Sequence, residues 1–486
     1  MRKILFVIIL FFLGIYTFAS IVPIETARKV ATNFYYERAN AVKPISLESV
    51  RITQEFTELQ NNNPAYYIFN IGLDKGYIIV SAESNTIPVL AYSFEKNYYT
   101  ENISPAFNWI VKSYKNDIIE AREKNLVATD EINGLWATYS SSAFKSTSSI
   151  TAVSLTTATW DQGCYYNALT PSNTDSYYCN HNPTGCVATA MAIIMKFQAW
   201  PAQGQGSYSY AHTTAAGFAN NYGTLSANFG GSTYNWAAMP ANVTSTNAEV
   251  AKIMYHCGVA VEMDYDVNGS GAPVGPANAP WPTAQKAFVS YFKYPTAAYF
   301  AKSSFTDAQW KAKIKADIDA SHPILYAGDG TLGGHAFVLD GYQGTTNDFY
   351  HFNFGWGGQS NGYFYITSIN PGTGGTGGGS YNFTSNQEGI FGIVKSTSTA
   401  CDEIQLNANV DVFPNPSNGL FTVNLTNLTD SKVKLEVYNL VGEKVWENNF
   451  SKENPTINLS KLSKGIYYLS IKTSNNTITK KITIVK

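Results

Sequence analysis

Residues 182–197 read Asn-Pro-Thr-Gly-Cys-Val-Ala-Thr-Ala-Met-Ala-Ile-Ile-Met-Lys-Phe, and this stretch decides how the middle of the chain is built. Pro183 and Gly185 interrupt regular structure, and a run of helix formers follows. The pattern predicts a helix over 186–199 with Thr184 as its N-cap. The helix is apolar on nearly all sides, so it has to run through a core. Cys186 falls in its first turn, where unpaired backbone N–H groups and the helix dipole favour a thiolate. That makes Cys186 a candidate nucleophile. A cysteine at a helix start can equally be inert and buried, so the choice rests on finding a base.

Six histidines are available, at 181, 212, 256, 322, 335 and 351. His335 lies in Gly333-Gly-His-Ala-Phe-Val-Leu-Asp-Gly-Tyr342, where two glycines allow close approach and the following strand alternates His335, Phe337 and Leu339 on one face. It follows Cys186 by 149 residues, within the range that separates nucleophile and base in papain-like enzymes. His351 lies mid-strand among aromatics and reads as structural, and His181 precedes the Pro-Thr-Gly turn. Segments 335–342 and 348–354 read as a hairpin. A turn centred on Thr345 pairs 335 with 355 and brings Asn353 and Trp356 near His335. Asn353 would then accept the imidazole N–H, and Trp356 would shield that bond from water. The plainer reading is that Asn353-Phe-Gly-Trp-Gly-Gly358 is only a tight turn with a core tryptophan. An acyl-transfer site also needs oxyanion donors. The backbone N–H of Cys186 is one, and Gln162 in Trp160-Asp-Gln-Gly-Cys-Tyr-Tyr-Asn167 fits as the other. Cys164, Cys179, Cys257 and Cys401 have no comparable context, although a Cys164–Cys179 disulfide is conceivable after export.

Outward from this centre the chain divides. Charged residues are 14% of its 486 residues, against a usual ~25%. The formal net charge of −2 excludes a basic footprint for nucleic acid. Residues 151–400 hold 30 of the 37 glycines, which sets this segment apart from its flanks. Met1-Arg2-Lys3, the apolar run from Ile4 to Phe18, and small Thr17 and Ala19 have the layout of a secretory signal peptide. Helical spacing at 24–40 and 106–124, with β-rich runs over 65–93, predicts a compact α+β unit without Cys or His. The Ser/Thr-rich tract 138–159 reads as an exposed linker. Further helices are expected at 247–258, 283–292 and 306–320, and strands at 323–327 and 362–367. Residues 371–380, Pro-Gly-Thr-Gly-Gly-Thr-Gly-Gly-Gly-Ser, read as a loop. Residues 410–486 show short alternating strands with turn signals and predict a small β-sandwich. No metal-ligand cluster, P-loop or dinucleotide fingerprint occurs in the sequence, so no cofactor is implied.

Four motifs in order, WDQ-x-x-YYNALTP, PTGCVATAMAIIMKFQAWP, GGHAFVLDGY and HFNFGWGGQSNGYF, resemble the streptopain family of secreted cysteine endopeptidases. The resemblance implies a papain-like α+β fold, Cys186 as nucleophile, His335 as general base and acid, Gln162 as oxyanion donor, and Trp356 beside the histidine. The family commonly shows Asn-Trp-Gly-Trp where this chain has Phe354. Residues 20–150 resemble the family's inhibitory pro-segment, and the C-terminal segment resembles the type IX secretion sorting domain of Bacteroidetes. The expected organisation is a signal peptide at 1–19, an inhibitory pro-domain at 20–145, a cysteine peptidase domain at 146–400 and a sorting domain at 401–486. The implied partners are protein or peptide substrates, the chain's own pro-domain and an outer-membrane secretion machinery, with a secreted or surface-held product. A transglutaminase-like acyl transferase and an inactive adhesin on the same scaffold are the competing readings.

Overall fold

A computed structural model describes residues 20–101, 103–145, 150–330, 333–344, 349–366, 386–395, 410–425, 432–439, 442–451, 455–472 and 477–485. The expected signal peptide, the 371–380 loop and Cys401 lie outside the described residues. The chain forms two units, with the division at Ser396 and Thr397.

The first unit is organised by one large antiparallel sheet. Its N-terminal part contributes helix α1 (Ile24–Val42), strands β1 (Ile52–Gln60), β2 (Asn63–Ile71), β3 (Tyr77–Ser81) and β4 (Val89–Tyr92), and helices α2 (Pro105–Glu123) and α3 (Asp130–Ser140). The remainder contributes β5 (Thr151–Ser154), α4 (Cys186–Gln198), the hairpin β6 (Tyr208–His212) and β7 (Gly223–Ala227), α5 (Ala248–Ala260), α6 (Ala284–Ser290), β8 (Thr296–Ala301), α7 (Asp307–Asp319), β9 (Ile324–Gly330), β10 (Gly333–Gly344), β11 (Phe349–Asn353), β12 (Gly362–Phe364) and β13 (Glu388–Val394). The strand order is β1-β2-β3-β4-β12-β11-β10-β9-β13-β8, with β5 added beside β10.

Strand alternation sorts the side chains into layers. In β2 and β3, Tyr66, Ile68, Tyr77 and Ile79 join a core covered by α2 and α7, while Tyr67, Phe69, Ile78 and Val80 join one covered by α1 and α3. In β10, Phe337 and Leu339 extend the first of these cores, and Ala336 and Val338 face the core built around α4. The covering helices supply matching stripes: Phe107, Ile110, Tyr114 and Ile118 from α2, and Trp310, Ile314 and Ile318 from α7. Both faces are therefore buried along β2, β3 and β10, which is why those strands read as apolar runs, whereas the edge strand β1 has no buried residue.

Two expectations need correction. The tract 138–159 is not simply a linker: α3 runs to Ser140, and β5 pairs with β10 from Thr151↔Gly344 to Ser154↔Gly341. The β-branched residues Thr151 and Val153 suit a strand, and the Thr156 amide and hydroxyl bond to the buried Asp340 carboxylate. The hairpin register also differs. Val338 pairs with Asn353, one residue beyond what a symmetric turn about Thr345 gives, and a bulge falls between Leu339 and Gly341.

The second unit is a sandwich of a three-stranded sheet (Asp411–Phe413, Leu420–Asn424, Thr456–Asn458) and a four-stranded sheet (Lys432–Tyr438, Lys444–Ser451, Gly465–Lys472, Thr477–Ile484). Phe421, Val423 and Ile457 of one sheet meet Leu435, Leu469 and Ile471 of the other. Phe421→Ala should cost this small core about 3–5 kcal/mol. In calorimetry the sandwich transition is expected to weaken or vanish, while the transition of the first unit stays where it is.

Candidate active site

The helix that carries Cys186 starts at a position only glycine fills. Gly185 has φ +86°, and a Cβ there would lie 2.5 Å from Met263 Sδ. Gly185, not Thr184, is the N-cap. Thr184 serves one residue earlier: its hydroxyl bonds the Thr189 hydroxyl at 2.8 Å, and Thr189 in turn donates to the Gly185 carbonyl at 2.9 Å. Residues Val187–Met195 are all buried, so the helix has no polar face and is fixed by packing on every side.

Gln162, Cys186, His335 and Trp356 line one cleft of about 610 Å³. Burial pushes the Cys186 thiol above its ordinary pKa. Backbone N–H groups of Ala336, Val187 and Cys186 itself point at the sulfur and pull the other way. The helix-start effect expected from the sequence is thus present, and burial outweighs it. Burial also holds the His335 imidazole below its ordinary pKa. The resting pair is therefore thiol and neutral imidazole.

Gln162 is held by its backbone. Its N–H donates to Asp161 Oδ1 at 2.6 Å, and its carbonyl accepts from Thr184 N at 3.0 Å, which ties it to the loop ahead of Cys186. Two residues on, Cys164 and Cys179 form a disulfide with Cα atoms 5.4 Å apart. Asn353 does not take the role expected for it. Its amide nitrogen donates to the Ala158 carbonyl at 2.7 Å, and its amide oxygen accepts from Gly355 N at 3.2 Å. It fixes the turn that presents Trp356 rather than the His335 ring. That turn reaches α4 because Gly355, at φ +64°, has no Cβ; one would lie 2.7 Å from Thr189 Cγ2.

The sequence reading missed how the N-terminal part grips this turn. Tyr77 Oη donates to the Ser360 carbonyl at 3.0 Å, Lys96 Nζ to the Gly357 carbonyl at 2.9 Å, and Gln359 Nε2 to the Glu101 carbonyl at 3.1 Å. Pro105, at the first turn of α2, lines the cleft itself. Beside the turn, buried His351 bonds Asp340 through Nδ1 and Glu95 through Nε2, the latter at 2.6 Å. Burial alone would lower the His351 pKa, but the two carboxylates outweigh it and raise it to about 10. The sequence signal was Asp340, a charge inside an otherwise apolar strand; Glu95 gave none.

A cysteine and a histidine lining one cleft, with the N-terminal part bound to the turn beside it, are the arrangement of a cysteine-type peptidase carrying a pro-segment. Residues 160–364 match the Peptidase C10 family, residues 19–118 match the Spi protease inhibitor, and residues 411–485 match the secretion system C-terminal sorting domain. The chain is 31% identical over 371 residues to streptopain of Streptococcus pyogenes, covering 73% of this chain and 86% of that protein. It is 29% identical over 386 residues to the thiol protease/hemagglutinin PrtT of Porphyromonas gingivalis, and spans 42% of that relative's length. Among solved structures, a prointerpain A fragment of Prevotella intermedia aligns with a TM-score of 0.53 at 30% identity, covering 70% of this chain and 98% of the fragment. The chain belongs to the Peptidase C10 family of cysteine peptidases. Its C-terminal sorting domain marks it for secretion or the cell surface.

Two outcomes follow from the charges. Thiolate is the species that alkylates, so Cys186 in the unprocessed protein should react slowly with iodoacetamide at pH 7 and accelerate only above the usual thiol range. Mass spectrometry of the labelled cysteine against pH checks this. For His351, the folded pKa lies above the unfolded value of ~6.5. Its contribution is therefore complete below that pH and is lost as pH rises through about 10. The thermal midpoint of the precursor should fall over this window. Glu95→Gln should destabilise the precursor at pH 7 by roughly 1–3 kcal/mol and flatten the fall.

Proposed function

We propose that this chain is the zymogen of an exported cysteine endopeptidase, with Cys186 as nucleophile and His335 as its general base and acid. The observation that carries this reading is the shared cleft of Gln162, Cys186, His335 and Trp356, with three backbone N–H groups directed at the sulfur. His335 takes the thiol proton, and the sulfur attacks the peptide carbonyl. The oxyanion is received by the Cys186 N–H and the Gln162 side-chain amide. His335 then returns the proton to the leaving amine, and a water activated by the same imidazole hydrolyses the thioester. Trp356 shields the imidazole from solvent. Asn353 contributes by holding the Gly355 turn.

Residues 20–145 act as the inhibitory pro-domain. Their grip on residues 357–360 and His351 supports this, as does the position of Pro105 at the cleft. Removing them exposes the cleft and relieves the burial that keeps Cys186 protonated. Residues 401–486 address the protein to an outer-membrane secretion machinery. The activating cut falls after Lys145. Lys145 is exposed, and Phe144 packs against the Tyr139 ring at 5.8 Å, so the cut requires that contact to open.

The experiment compares the parent with Cys186→Ala under reducing conditions. The variant should fold normally, lose peptidase activity by on the order of 10⁶-fold as nucleophile losses do elsewhere, and keep its pro-domain. N-terminal sequencing should place the parent's cut after Lys145. Near-parental activity in the variant sinks the nucleophile assignment, and equal processing of both proteins sinks self-activation.

A further inference from the structure

The wall of the cleft that carries Gln162 is a loop. Residues 155–185 join β5 to α4 with one short helical turn, Ser176–Tyr178. Gln162, Tyr178 and Pro183 of this loop line the cleft. A loop residue is placed precisely only when something outside its own backbone fixes it. For Gln162 that is the bond from Thr184 N to its carbonyl, just ahead of Cys186.

Tyr178 is fixed differently. Its ring lies on the backbone beside Gln162: a Cβ on Gly163 would be 3.4 Å from Tyr178 Cδ1. The next residue on each side of that contact is a cysteine, and Cys164 and Cys179 are bridged. The chain leaves Tyr178 through Cys179 at φ +56° and Asn180 at φ +61°. Asparagine tolerates this left-handed region, but cysteine does not favour it, so residue 179 has to be held there. The Tyr178 carbonyl accepts from Asn167 Nδ2 at 2.8 Å and from His181 N at 3.2 Å, bonds that fix the peptide and not the ring. The covalent bridge is what ties residue 179, and the ring before it, to Gly163 and Cys164. A half-buried ring that packs on Gly163 and also lines the cleft offers a bound polypeptide an apolar surface beside the oxyanion donor.

We propose that Tyr178 is a substrate-contact residue of this cleft and that the Cys164–Cys179 bridge holds it in place. With the bridge closed, the ring borders the bound peptide next to Gln162. Without the bridge, residues 176–180 relax and the ring leaves Gly163, while Cys186 and His335 keep their places on α4 and β10. The inference rests on the peptidase reading of the cleft.

The test uses the full chain after it has processed itself, in a buffer free of dithiol, with the bridge in the parent verified by mass spectrometry. Two rates are read on each protein: cleavage of a fluorogenic peptide with leucine at the second position before the cut, and alkylation of Cys186 by iodoacetamide. The small alkylating agent needs the nucleophile but no cleft wall. Tyr178→Ala should lower kcat/KM about tenfold, chiefly through KM, and leave alkylation within about twofold of the parent. Tyr178→Phe keeps the ring and should recover most of the loss. The bridge-free protein, Cys164→Ala with Cys179→Ala, should show the same fall as Tyr178→Ala, and adding Tyr178→Ala to it should lower the rate no further. If the bridge-free protein does not accumulate, the parent treated with a dithiol takes its place: the dithiol closes to a cyclic disulfide, leaves free thiols at 164 and 179, and should cause the same fall.

Peptide cleavage by Tyr178→Ala within about twofold of the parent overturns the contact. A bridge-free or reduced protein that cleaves like the parent overturns the role of the bridge, as does one in which Tyr178→Ala costs its full factor again. Parallel losses of cleavage and alkylation mean damage to the whole site and overturn both. The parent reports separately on the underlying reading: if it cleaves the peptide and Cys186→Ala does not, the peptidase assignment stands whatever Tyr178 does. If the parent does not cleave the peptide, the assignment falls and the proposal falls with it.

Discussion

A sheet edge exposes a row of backbone donors and acceptors that must be paired, covered or left to water. In this chain the edge strand of the catalytic half is β12, and β4 of the N-terminal half closes it through Tyr363↔Tyr92 and Phe364↔Ala91. Much else depends on that short ladder. The Tyr92 and Tyr363 rings stack at 5.0 Å, and the Tyr92 hydroxyl bonds Gln343 on β10. Gly362 admits the Tyr92 carbonyl where a Cβ would lie 2.6 Å from it. With the ladder in place, the α2 and α7 helices share one core across both halves. The turn carrying Trp356 leads directly into β12, so the partner of that strand also restrains the site.

Latency and catalysis consequently draw on the same desolvation. The apolar surroundings that fix α4 and shape the cleft also disfavour the ionised thiol, against the pull of the N–H groups aimed at it. Any loss of that burial shifts the balance toward the thiolate. The His351 proton works in the opposite sense. It is stabilised by one carboxylate from each half, Asp340 and Glu95, so separating the halves leaves it with a single partner.

Much of this was legible in the sequence because the signals were local. Pro183, Gly185 and the apolar run to Phe197 mark the helix of Cys186, and the glycines before His335 mark the strand end that brings it to the cleft. Gln162 and Trp356 reach the same cleft from motifs of their own. What could not be read depends on distance and register. The hairpin pairs about a point beyond Thr345, an offset the bulge between Leu339 and Gly341 only partly takes back, and Asn353 spends its amide on residues 158 and 355 instead of the imidazole. The strand at 151–154 is hidden in a Ser/Thr-rich tract because its partner lies almost two hundred residues on. Glu95 looks like an ordinary surface charge until the sheet brings it to His351.

The disulfide between Cys164 and Cys179 sets a problem of oxidation order during biogenesis. The chain has to oxidise one pair of sulfurs while leaving another sulfur free. Pairing across 15 residues is a local event, and both partners lie in the loops preceding α4. Disulfide exchange requires a thiolate, and burial holds the Cys186 thiol toward its protonated form. The burial that quiets this thiol therefore also keeps it out of mispaired bridges, so a free cysteine can sit seven residues beyond an oxidised pair.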